Sequence, residues 1–154
     1  MKRSSVPLVY GSFIAVGLIV YFLILSLFGL HEQPVYSAFN IVITGVGMYL
    51  AIRKYMALKK SKFVYQKGFS VGLTTGFIAT VIFTAFFAIY ASELNPEFSK
   101  ELLMMWETDW FVNIGMLVFT VALMGFATTF VMTLAIMQRY KPSWNTKEGQ
   151  KHTY

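Results

Sequence analysis

Four stretches of this chain carry no charged side chain, and every lysine, arginine, aspartate and glutamate falls between them or at the ends. The stretches are residues 6–30, 35–52, 68–90 and 110–137. As helices rising 1.5 Å per residue they would be about 37, 27, 34 and 42 Å long, against a bilayer core of roughly 30 Å. The second is the marginal one, and the fourth is long enough to tilt or to project from the membrane. Backbone groups in lipid must be satisfied within the segment, and these lengths fit helices rather than barrel strands of about ten residues. The composition agrees: 13% of the residues are charged, about half the usual share in a soluble domain. The predicted fold is an all-α integral membrane protein, one four-helix domain over residues 1–154 with a basic tail at 138–154.

Charge sets the orientation. Lys2 and Arg3 precede the first span; Arg53, Lys54, Lys59, Lys60, Lys62 and Lys67 fill the second connection; Arg139, Lys141, Lys147 and Lys151 lie in the tail. Of the 13 basic residues only Lys100 is elsewhere. Glu32, Glu93, Glu97, Glu101, Glu107 and Asp109 occupy the opposite side. The positive-inside rule then places both termini in the cytoplasm. The first apolar run is too long for a signal peptide, and no small-x-small cleavage site precedes His31, so it is expected to stay as an anchor. With no cysteine in the chain, disulfides and thiolate chemistry are excluded.

The connections differ in kind. "HEQP" is an external tight turn, with Pro34 suited to the start of the second helix. The basic connection, residues 53–67, interleaves Tyr55, Leu58, Phe63 and Tyr65 with its cations. It either fixes topology alone or lies on an anionic leaflet or a partner, each cation then contributing about 1 kcal/mol. In the longer external connection Asn95 is placed to cap a short helix opened by Pro96, with Phe98, Leu102 and Met105 on the face that rests on the membrane surface.

The third span carries a row of small residues at every fourth position: Gly68, Gly72, Gly76, Thr80, Thr84 and Ala88. Such rows let helix backbones approach closely, which matters where lipid removes the hydrophobic drive for association. Each step of four turns the row by about 40°. A straight neighbour cannot follow it to the end, so the glycine half and the threonine half are expected to face different helices. Gly125, Thr129 and Thr133 form a matching row on the fourth span. Gly47 and Ala51 on the second span, and Gly11 and Ala15 on the first, lie at similar depth, so packing is expected to be tightest near the cytoplasm. The alternative is that the glycines line a homodimer contact or a partner's groove.

Asn40 and Thr44, Thr80 and Thr84, and Asn113 and Thr120 all fall in the external half. They either hold helices together or line a small polar cavity; threonine also bonds its own helix four residues back. The spans contain no ionisable side chain of the kind that marks ion paths and proton relays, and no phosphate loop or nucleophile–base pattern is present. A single external histidine, His31, with Glu32, Glu93, Glu97, Glu101 or Asp109, makes a poor metal set; a hydrated acidic face accounts for these acids. No cofactor, metal or nucleic acid is expected.

Two runs, "KFVYQKGFSVGL" at residues 62–73 and "NPEF" at residues 95–98, resemble the family known as domain of unknown function 4199, small four-span proteins of the bacterial inner membrane. The resemblance implies that setting and carries no catalytic residues. Together these features point to a non-enzymatic accessory or scaffolding subunit of a larger membrane complex, in contact with membrane lipids. The alternative is passage or presentation of a lipid or a small uncharged substrate, in support of a lipid-linked glycosyltransferase.

Overall fold

A computed structural model describes residues 5–30, 33–59, 63–95, 98 and 114–141. All regular structure among them is helical: α1 (Val6–Leu27), α2 (Pro34–Ser37), α3 (Phe39–Lys59), α4 (Tyr65–Ile89), a π-helical turn (Tyr90–Leu94) and α5 (Ile114–Gln138). Four stretches, Val6–Leu27, Val35–Lys59, Tyr65–Leu94 and Ile114–Gln138, are long and apolar enough to cross a bilayer. The chain is a multi-pass membrane protein.

Local chemistry explains where the helices begin and stop. Pro7 lies in the first turn of α1, where its missing N–H costs nothing. The far end of α1 closes when Gly29 enters the left-handed region at φ 65°. Its N–H then donates to the Ser26 carbonyl at 3.2 Å and the Leu30 N–H to the Leu25 carbonyl at 2.9 Å. This is the Schellman arrangement, which glycine adopts without a Cβ penalty. Pro34 opens the one-turn α2, and a turn at Ala38 separates it from α3.

Two boundaries differ from those read in the sequence. The second helix continues through Arg53 and Lys54 to Lys59, and α4 begins at Tyr65 instead of Gly68. Much of the presumed basic loop is therefore helix. Charge ends a membrane span but does not end a helix: Met56, Ala57, Leu58 and the lysines are all good helix formers, and Ile52 and Tyr55 bury their side chains. Val64, extended at φ −116°, marks the break before α4. Residues 110–113, placed in the fourth span by sequence, lie outside the described residues.

Helix α4 packs against α1, α3 and α5, so it is the hub of the bundle; α5 rests on α4 and, over a shorter stretch, on α3. The interior forms three layers. Val6, Ala51, Tyr55 and Val71 pack at the basic end. Ile14, Leu18, Met48 and Ala79 fill the middle. Phe22, Phe87, Tyr90, Ala91, Phe98 and Leu117 close the acidic end. Bulky rings fill the acidic end, so the core extends there as well, while the close contacts at Gly11, Gly47, Gly72 and Gly76 lie toward the basic half, where the glycine positions predict them.

Candidate functional site: a helix seam, an aromatic cap and a lipid-facing groove

The small-residue rows of α4 and α5 meet in a single antiparallel register. A Cβ built on Gly72 would lie 2.9 Å from the Thr133 methyl, one on Gly76 would lie 2.9 Å from Thr129 Cβ, and one on Gly125 would lie 2.6 Å from the Thr80 methyl. One turn further on, Gly68 faces Met137, whose terminal methyl is 3.1 Å from the same kind of position. Glycine meets threonine reciprocally across the seam. Thr133 satisfies its hydroxyl on the Thr129 carbonyl at 2.8 Å, whereas the buried Thr129 hydroxyl has no hydrogen-bond partner among the described residues. Thr75, on the neighbouring face of α4, bonds the Val71 carbonyl at 2.7 Å. Both are four-back bonds within one helix.

This geometry ends the α5-facing part of the α4 row one step later than expected, after Thr80 and not after Gly76. Gly68, Gly72, Gly76 and Thr80 all face α5. A row of four-residue steps is inclined by roughly 26° to its helix axis. A neighbour that crosses obliquely and carries a matching row stays on it, whereas the expectation held the neighbour straight and parallel. The rest of the row leaves the seam: Ala88 is half-buried and its carbonyl accepts from Ser92 Oγ. Thr84 is half-buried, its hydroxyl enclosed without a hydrogen-bond partner among the described residues.

The remaining polar residues do not assemble. Thr44 is buried on α3 and Asn40 half-buried near its start. Thr120 bonds the Met116 carbonyl of its own helix at 2.9 Å. No hydrogen bond joins Asn40, Thr44 and Thr120 to one another among the described residues. Asn113 lies outside those residues, as do Lys60, Lys62, His31, Glu32, Glu97, Glu101 and Asp109.

At the acidic end Phe22 is ringed by aromatic edges. Phe83, Phe86, Phe87, Tyr90 and Phe98 each stand within 6.3 Å of it, centroid to centroid, and nearly perpendicular. Tyr90 opens the π-helical turn and shares a 2.6 Å hydrogen bond with Ser26 Oγ, tying α4 to α1. The Asn95 side chain caps as its sequence position predicts, Oδ1 accepting the Phe98 N–H at 3.2 Å. The ring of aromatic side chains around Phe22 is not among the features expected from the sequence. Its signal was present in the spacing of Phe83, Phe86, Phe87 and Tyr90, three and four apart on one helix face.

At the basic end Arg53, Lys54 and Lys67 are exposed, and the Lys59 ammonium stands 5.9 Å above the Tyr55 ring. Tyr140, just beyond α5, stands beside Tyr49 of α3. Burial, and then the Tyr49 hydroxyl, raise the Tyr140 phenol above its ordinary value, while Arg139 and Arg53 pull it down. Beside this cluster, α1 and α3 leave an apolar groove of about 480 Å³ open to the lipid, lined by Phe13, Ile14, Val46 and Leu50 among others.

A family model described as "Protein of unknown function (DUF4199)" matches residues 9–138. No curated protein and no solved structure matches the chain.

Proposed function

Because the chain belongs to the DUF4199 family of proteins of unknown function, we propose its role from geometry: a non-enzymatic accessory subunit that supports a larger complex in the bacterial inner membrane, with both termini cytoplasmic. The observation that carries this reading is the asymmetry of α5. Its small face is committed to α4, yet only 11% of its apolar window is buried, against 33% for the window on α4. The outward side carries the large exposed side chains Phe119, Leu123 and Leu134, spaced as one helix face. A helix anchored by one face and open on the other is suited to join two bodies.

The test is a photo-crosslinking residue placed at Leu123 or Leu134 in the full chain, in native membranes. The expected product is one discrete protein adduct that also co-purifies in stoichiometric amount in gentle detergent. Adducts with lipid alone, and a chain that migrates by itself, would overturn the accessory role. The second reading, lipid passage or presentation, draws on the groove between α1 and α3.

A further inference from the structure

The α1–α3 groove owes its depth to missing side chains. Gly47 lets Ile14 of α1 lie against the α3 backbone, and a Cβ at Gly17 would reach the Ile43 side chain at 3.4 Å. The two helices are therefore close on their inner side. Tyr10 and Phe13 on α1, with Val42, Val46 and Leu50 on α3, stand as walls on the lipid side. From Val42 to Leu50 the groove extends about 12 Å along α3. That is most of the depth of one leaflet, whose apolar half is roughly 15 Å.

The α3 wall is a row of four-residue steps. Val42, Val46 and Leu50 are 50%, 54% and 45% exposed, and the next step is Lys54, also exposed. Arg53 is its exposed neighbour. One helix row thus runs from an apolar channel floored by glycine to a cation, in the order in which a phospholipid runs from acyl chain to phosphate. A second protein helix would find the apolar part equally suitable, but it would have to bring an acid to the level of Lys54. An anionic phospholipid brings both parts in one molecule.

We propose that the α1–α3 groove is a binding site for one acyl chain of an anionic phospholipid whose phosphate is held by Lys54 and Arg53. The site does not depend on the accessory role of α5, which rests on α4 and on another face of α3. A cation near an anionic headgroup changes affinity by about fivefold, and the groove adds contact for any phospholipid, whatever its charge.

The experiment uses the full chain in micelles holding equal amounts of phosphatidylglycerol and phosphatidylcholine, with retained lipid counted by native mass spectrometry. Phosphatidylglycerol should be retained in preference, by about fivefold for each of the two cations. Lys54→Gln should lower that preference by about fivefold. Gly47→Leu should abolish retention of both lipids; because it also presses on Ile14, Val46→Trp, which fills the groove from an exposed position, serves as the folded alternative. Equal retention of the two lipids by the parent chain would overturn the proposal. So would a preference unchanged by both Lys54→Gln and Val46→Trp. A photo-crosslinker at Val46 that captures a protein segment in native membranes, with no phosphorus in the adduct, would show the groove to be a helix-docking face instead.

Discussion

Thr133 on α5 lies directly over Gly72 on α4, so that a Cβ on the glycine would meet the threonine methyl at 2.9 Å and its hydroxyl at 3.2 Å. Both distances are too short for an ordinary contact, and a helix-forming methyl therefore becomes a wedge. Gly72→Leu is expected to cost about 1–3 kcal/mol or more through overpacking, although leucine is the better helix former by most of 1 kcal/mol. Gly72→Ala should cost less and should be partly relieved by Thr133→Ala, which removes the nearest atom and the third nearest and leaves Ile52 Cδ1 at 3.1 Å. Thermal unfolding of the four species in detergent gives the cycle; a coupling energy of at least about 0.5 kcal/mol is expected. Val81→Ala, at an exposed position, should change stability little. Additive effects would mean that the seam does not set the distance between α4 and α5.

Phe22 at the centre of the acidic-end cap is the side chain with most to lose. Truncation to alanine removes the ring that five others face, and a cost of about 3 kcal/mol is expected. Tyr90→Phe keeps every ring contact and removes only the hydroxyl, which Ser26 shares at 2.6 Å and Asn95 Nδ2 reaches at 3.5 Å. Its cost should be about 1 kcal/mol. If Tyr90→Phe proved as damaging as Phe22→Ala, the hydrogen bond and not the ring packing would hold the end of α1 to α4.

The four spans were legible because bilayer thickness imposes a length and excludes charge, and both are visible in one dimension. The α4 row was equally legible as a row, and its partner row on α5 as a candidate. Its true course was not, because the reading held the neighbouring helix straight, while the crossing angle depends on two surfaces together. Helix ends were missed for a different reason. Lys59 and Tyr65 end up in helices because burial of Tyr55 and the extended backbone at Val64 decide the break, and neither is a property of charge. The aromatic cap was missed although Phe83, Phe86, Phe87 and Tyr90 share a face, since in an apolar span an aromatic stripe resembles any lipid-facing stripe until Phe22 of α1 is placed among them. The groove had no signal at all: Gly47 opens it only when Ile14 is known to lie opposite.

Orientation rests on charge, and the absence of cysteine makes it directly testable. A cysteine replacing the exposed Ser92, beside Glu93 in the π-helical turn, should react with an impermeant thiol reagent in intact cells. One replacing the exposed Lys141 should react only after permeabilisation. The reverse pattern would invert the topology, and labelling of both in intact cells would remove the four-span arrangement.

Tyr140 gives a prediction in pH. Burial and the neighbouring Tyr49 raise its phenol above the ordinary tyrosine value, Arg139 and Arg53 opposing. The folded protein therefore holds this proton more tightly than the unfolded chain does. The sign follows from linkage: a raised pKa contributes stability that is fully present below pH 10 and is lost as pH rises through the folded-state value. Between pH 6 and 9 the contact of Tyr140 with α3 should be indifferent to pH. Above about pH 10 the phenolate begins to form, and the contribution of the neutral phenol beside Tyr49 is lost. Unfolding temperatures of the parent and of Tyr140→Phe, measured in detergent, should then converge as the pH is raised, because the variant has no such proton to lose. Parallel curves over the whole range would show that the tyrosine pair contributes nothing to holding the basic end of α5 against α3.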